Sequence, residues 1–309
     1  MGKGRKNAVN PRQIGLLAGK ALLMEATASP KPGLVCPDHN GAHSDMEYAH
    51  FVASAKALQP YFAACARLGM EFHALPAADM LPPLRLTGME GERAMFAATG
   101  GINTHKGAVF SLGLLCAAYG RLRARGAATD INACCNEASA VVRGIVAREL
   151  ESLRHSPPER KLTAGERIYL EYGSTGARGE AEAAFPGLRA AYAHAGRDNP
   201  LCLAVGLPHL LLRLIAEHTD TNILARGGPE ALAYAKTQAA IALEAGGMYT
   251  AQGKGSVRAM CDEFARRGIS PGGSADMLGL VVFFYLLQGS VPICRDTSSD
   301  CVFGSGHGR

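Results

Sequence analysis

The chain has 309 residues, of which 48% are hydrophobic and 6% aromatic, and it has no tryptophan. That length provides for one large core, and a net charge of only +5, with no basic stripe interleaved with aromatics, argues against a nucleic-acid partner. The longest apolar run, "MLGLVVFFYLL" from Met277 to Leu287, falls short of the roughly 20 residues that span a bilayer, so no membrane association is expected.

Residues 1–10 read as a basic flexible tail carrying Lys3, Arg5 and Lys6. Asn10 then stands as an N-cap with Pro11 at the first helical position. Ile14, Leu17, Ala21 and Met24 follow at helical spacing. A second helical stretch runs from Met46 to Leu68, and Pro60 bends or splits it. Lys106 to Arg125 and Asp130 to Leu153 are two more long candidates. "TAGE" at Thr163 to Glu166 is a capping box. "NPLCLAVGLPHLLLRLIAEH" opens another helix at Asn199–Pro200. Pro229 to Gly246, Ser256 to Arg267 and Ser274 to Leu287 complete the set. No period-2 run of useful length appears. The expected fold is all-α: one helical catalytic domain over residues 11–290, of roughly ten helices. Residues 291–309 are expected to form a loosely ordered extension.

The chain has nine cysteines and no CxxC pair. This fits no zinc or iron–sulfur spacing. With no signal peptide, they read as reduced thiols filling the core of a cytoplasmic protein.

Five turns are dense in Gly, Asp, Asn, His and Arg, each beside a helix. They are "SPKPGLVCPDHNGAHSDME" (29–47), "TGGINTHKG" (99–107), "YGSTGARGEAE" (172–182), "DTNILARGG" (220–228) and "SPGGSADM" (270–277). Converging at one end of a helical bundle, they would build a site. The mild positive charge suits a small anionic substrate.

"PKPGLV", "NGAHSDM", "TGGINTHKGAVFSLGLLCAA", "GARGEAE", "DTNILARGG" and "SPGGSADML" occur in this order between about residue 12 and about residue 290. Together they resemble the characteristic blocks of the triphosphoribosyl-dephospho-CoA synthase family. The resemblance implies an enzyme that joins ATP to 3'-dephospho-CoA, with Mg²⁺ as cofactor and release of adenine. Its product would pass to a holo-acyl-carrier-protein transferase that serves citrate lyase or malonate decarboxylase. Asn40–Gly41 resembles the citrate lyase branch more than the Ser-Gly of the malonate branch. Glu47 stands where the family commonly has Asp. Oligomeric state is left open.

The implied reaction is glycosyl transfer at C1' of the ATP ribose, through an oxocarbenium-like transition state. Asp45, Glu180 and Glu47 are the candidate catalytic carboxylates. Gly100 and Gly101 let the backbone approach a phosphate, Asn103 and Thr104 can cap the next helix, and His105 and Lys106 meet the ligand at its start. A stiff structural loop is the competing reading. Arg178 and Arg226 are phosphate ligands, although Arg178 also suits a surface cluster with Glu180 and Glu182. On a helix those two glutamates would point differently. Asp45, Asp220 and Asn222 offer hard oxygens to Mg²⁺, with helix capping the other use of Ser44 or Asp45. Ser274, beside Asp276, reads as an N-cap or a phosphate ligand. His50, His73, His155, His194, His209, His218 and His307 read as structural. Two other functions fit the same residues: a Mg²⁺-dependent hydrolase of the N-glycosidic bond in ADP-ribose or nucleotides, and a non-catalytic factor for carrier-protein assembly.

Overall fold

The computed structural model of the chain describes residues 10–155, 159–195 and 202–289. The basic tail before Asn10, the extension after residue 290, His307 and the expected helix start at Asn199–Pro200 lie outside them.

Helix α1 (Pro11–Thr27) begins as its local chemistry requires. The Asn10 side chain accepts from the Gln13 amide, and Gln13 reaches back to the Asn10 amide in a capping box. Helices α2 (Tyr48–Ala57) and α3 (Gln59–Glu71) are one expected stretch, divided just before Pro60. Helix α4 (Leu81–Ala98) was not expected from the sequence. It is only half-buried, with Leu86 65% and Met89 57% exposed, so its apolar period is blurred. Helix α5 (Lys106–Ala124) matches expectation. The stretch Asp130–Leu153 is instead three pieces: α6 (Ile131–Val142), α7 (Ile145–Glu149) and a 3-10 turn. The break falls at Gly144, whose φ of 75° no helix accommodates.

Helix α8 (Ala164–Tyr172) carries the expected Thr163–Glu166 capping box. Helices α9 (Gly176–Glu182) and α10 (Pro186–Ala195) follow, then α11 (Gly206–Glu217). Helix α12 (Thr221–Glu244) has a kink at Gly228 next to Pro229, which explains why only its second part was expected. Helices α13 (Ala251–Arg267) and α14 (Gly272–Leu287) close the order. Among the described residues there are fourteen α-helices and no strand, only an isolated bridge between Cys36 and His39.

Helix α14 is buried along almost its whole length and packs against α1, α5, α10 and α11. An apolar surface on every side suits a helix at the centre of a bundle. Around it α3 and α5 cross at backbone contact. A Cβ on Gly69 would lie 1.9 Å from the Ala117 carbonyl oxygen, and one on Gly120 2.1 Å from that of Ala66. Small residues thus set this crossing. No helix among the described residues is long and apolar enough to cross a membrane. Cys36, Cys65, Cys116, Cys134, Cys135 and Cys261 are free thiols, and burial pushes Cys65, Cys135 and Cys261 up to about 12.

Candidate active site

The polar turns meet at one end of the bundle. The Ala42 amide donates to the Gly33 carbonyl at 3.1 Å. His43 Nε2 pairs with Ser270 Oγ at 2.8 Å. From α12, Arg226 reaches the same turn: Nη1 lies 3.4 Å from His43 Nδ1 and Nη2 donates to the Ala42 carbonyl at 3.3 Å. A Cβ on Gly176 would touch Thr221 at 3.3 Å, which places the start of α9 against the start of α12.

Asp220 and Asp276 tie three helix N-termini together. Asp220 caps α12, its Oδ1 accepting the Asn222 and Ile223 amides at 2.9 and 3.3 Å. Its Oδ2 accepts the Ser274 amide at 2.7 Å and the Ser274 hydroxyl at 2.9 Å, in the first turn of α14. Asp276 lies against the start of α5, where a Cβ on Gly107 would fall 1.9 Å from its Oδ2. Only glycine leaves room for that carboxylate. Ser274 to Leu286 is a buried run in which Asp276 alone keeps some exposure. Protein packed around it raises its carboxyl well above the usual range; the negative Glu25 and Asp220 add to this, while a hydrogen bond from the Ala108 backbone opposes it.

Beside Asp276 is a buried ion pair. Lys31 Nζ donates to Glu25 Oε1 at 2.7 Å and to the Glu25 carbonyl at 2.8 Å, and the two side chains are 2% and 5% exposed. His105 is also buried. Its Nδ1 pairs with Ser54 Oγ at 2.8 Å, and its ring meets Phe51 edge-on. Burial first, then the Lys31 charge, pushes it down to about 3, so the ring is neutral at working pH. Its Nε2 and the Thr104 hydroxyl oxygen are buried without a hydrogen-bond partner.

His105 is depressed from 6.5 to about 3 in the fold, so folding resists its protonation. Its contribution is full above about pH 6.5 and shrinks as pH falls toward the folded value. His105→Gln is expected to flatten the loss of stability between those limits, measured by urea unfolding at a series of pH values. An unchanged acid slope would show that His105 does not carry it.

The other expected residues divide. Gly100 and Gly101 have φ of 63° and 91°, and nothing lies within 4 Å of an added Cβ. They are needed for the turn and face open space. Asn103 accepts the Lys106 amide at 3.3 Å, as a cap would. Lys106 Nζ pairs with Glu92 Oε2 of α4 at 2.9 Å. His105 was expected to meet a ligand at the helix start; the ring packs inward instead. Ser274 was expected to cap or to bind phosphate; its hydroxyl is spent on Asp220. Asp220 was expected at a metal, yet the lone pairs of both its oxygens already accept four donors. Asn222 is exposed, and Asp45, with a 70% exposed side chain, lies 3.6 Å from His43 Nδ1. Glu47 is exposed at the start of α2, and its amide donates to His50 Nδ1 at 3.0 Å.

Glu180 and Glu182 do point apart. Glu180 Oε1 accepts the Gly187 and Leu188 amides at 2.6 and 3.3 Å, capping α10. Glu182 accepts the Gly144 and Val146 amides at the start of α7. Glu180 also lines a cavity of about 480 Å³ with Gly176, Arg213, His218 and Thr219. Arg178 pairs with Glu149 at 2.9 Å. Among the described residues no group of three or more His, Cys, Asp or Glu is arranged to hold a metal ion.

The buried Lys31 and Glu25, with the partly exposed Asp276 beside them, form the centre of the site, and sequence reasoning assigned none of them a role. Lys31 and Asp276 stand inside two of the quoted blocks. The signal for Glu25 was a lone carboxylate in the apolar helix "ALLMEATA".

Residues 11–293 match the family model described as ATP:dephospho-CoA triphosphoribosyl transferase. The chain is 41% identical over 283 residues to a protein of Vibrio cholerae serotype O1 (strain M66-2), covering 90% of this chain and 88% of the relative. It is 41% identical over 287 residues to one of Albidiferax ferrireducens, covering 91% and 92%. A Citrobacter koseri protein is 41% identical over 280 residues, covering 88% and 89%. All three carry the name "Probable 2-(5''-triphosphoribosyl)-3'-dephosphocoenzyme-A synthase". No solved structure matches the chain.

Proposed function

Because the chain belongs to the ATP:dephospho-CoA triphosphoribosyl transferase family, we propose that it transfers the 5-triphosphoribosyl group of ATP to the 2'-hydroxyl of 3'-dephospho-CoA and releases adenine. The observation that supports this reading most is the meeting of the N-termini of α5, α12 and α14 through Asp220 and Asp276. Helix N-termini attract anions through the helix dipole and through amides that no cap occupies; here Asp220 already takes those of Asn222, Ile223 and Ser274. Lys106 and Arg226 add two cations at the rim. Together they hold the triphosphate.

The acceptor oxygen bonds to C1' as the C1'–N9 bond breaks. Adenine leaves with the bonding pair and takes up a proton, while the hydroxyl proton passes to a carboxylate. Asp276 is that base: it is partly exposed, at the start of α5, and its carboxyl is raised by the packing around it, so it takes a proton more readily than an ordinary carboxylate. Glu180, on the cavity wall, steadies the positive ribose. His105 Nε2 and Thr104 Oγ1 keep buried, unspent hydrogen-bonding capacity behind the start of α5. Mg²⁺ bound with ATP would neutralise phosphate charge. Asp45 and Asn222 are the exposed hard oxygen groups for it, and Asp220 is instead a buried strut. Asn222 fits beside Asp45 because Arg226, one turn along α12, reaches His43, which pairs with Asp45.

We place this chemistry in the cytoplasm. Its product is the prosthetic-group precursor handed to a carrier-protein transferase, and Asn40–Gly41 favours the citrate lyase carrier as the recipient. Adenine release should depend strictly on 3'-dephospho-CoA. Release with ATP alone would mark a hydrolase, and no release from folded protein would mark a non-catalytic factor.

A further inference from the structure

Across α9 from the cavity of Glu180 lies a second one, of about 460 Å³, in which Arg85, Arg148, Arg160 and Arg178 face Glu149 and Glu166. Four guanidinium groups meet two carboxylates, so two positive charges are in excess. Glu149 is shared by Arg85 and Arg178. Glu166 is spent: both its oxygens hold Arg160, at 2.7 and 2.9 Å, and one also accepts the Thr163 amide at 2.7 Å. Arg148 has no ion pair among the described residues, and its Nη1 donates to the Arg143 carbonyl at 2.8 Å. Burial lowers Arg85 below its ordinary range, and the neighbouring Arg178 and Arg148 charges add to this. The four arginines come from α4, α7, the segment before α8, and α9. Bringing four like charges together from separate elements does not help the fold. A planar guanidinium fork matches phosphate oxygens in pairs, so a dianionic phosphate ligand would relieve the crowding.

The position fits a second subsite. Arg85 precedes Glu92, the partner of Lys106, by seven residues on α4. Two turns of helix put both on the same face, about 10 Å apart along the axis. The cavity is therefore beside the proposed triphosphate end and separate from it.

We propose that the arginine cavity binds the diphosphate of the acceptor nucleotide, 3'-dephospho-CoA, in a subsite distinct from that of the ATP triphosphate. This rests on the transferase reading above. Two excess positive charges match the two charged phosphates of a diphosphate bridge.

Two variants test it: Arg85→Gln with Arg148→Gln, and Arg148→Glu alone, which breaks no ion pair. Direct calorimetric binding of 3'-dephospho-CoA should weaken by roughly ten- to a hundredfold in each, while ATP binding stays within about twofold. The KM for 3'-dephospho-CoA should rise in parallel. Adenosine, which has the 2'-hydroxyl and no diphosphate, should be an equally poor acceptor for wild type and variants. If ATP binding weakens instead, the cavity belongs to the triphosphate and the proposal is wrong. If neither ligand is affected in variants with wild-type circular dichroism, the arginines are a surface cluster and the proposal is again wrong. Binding is read without turnover, so a wild type that binds 3'-dephospho-CoA through these arginines but makes no product would overturn the transferase reading and leave the subsite standing.

Discussion

Asp276→Asn lowers turnover by roughly 10²–10⁴-fold, the usual worth of a general base, and leaves the KM for ATP within a few-fold. The substitution keeps the shape that fits against Gly107 and removes the ability to take a proton. Asp276 has what the acceptor hydroxyl needs: a position at the start of α5, some exposure in an otherwise buried run, and a carboxyl raised by packing and by Glu25 and Asp220. Turnover of the wild type should rise with pH as this carboxyl ionises, and the variant should lose that limb. Steady-state kinetics over a pH series reads both effects. Full turnover in the variant would move the base elsewhere, with Asp45 and Glu180 next to be tried.

Lys31→Met should cost about 3–5 kcal/mol of stability, the range for removing one partner of a buried ion pair. Glu25 would then keep a charge inside the bundle, near the carboxylates of Asp220 and Asp276, with no cation against it. Lys31 also holds the Glu25 carbonyl close to the C-terminal end of α1, where a cation is favoured. Adding Glu25→Gln to Lys31→Met should recover much of the loss, because replacing a whole buried pair is often near neutral. Urea unfolding midpoints of the two proteins decide this. A single variant within 1 kcal/mol of wild type, with no recovery in the double, would mean that the pair is not a desolvated one.

The helix starts were legible because caps are local. Asn10 with Gln13, and Thr163 with Glu166, lie three residues apart and need no knowledge of the fold. The division before Pro60 is equally local. The break inside Asp130–Leu153 was not legible, because a helical apolar period continues across Gly144 in the sequence. The surface helix α4 hid behind its exposed Leu86 and Met89. In the site, the blocks were legible as loops that belong together, and their partners were not. Glu180 caps α10 only because the chain turns sharply at Ala184 and Phe185, both with positive φ. Asp220 and Ser274 are 54 residues apart and meet only after packing. The Glu25–Lys31 pair crosses from the end of a helix into a loop, so helical spacing says nothing about it.

The most direct test of the transferase reading is mass analysis of the products made from ATP, 3'-dephospho-CoA and Mg²⁺ by the full chain. The expected result is free adenine and 3'-dephospho-CoA enlarged by one triphosphoribosyl group, in equal amounts. Free adenine accompanied by ribose triphosphate, with 3'-dephospho-CoA unchanged, would contradict it.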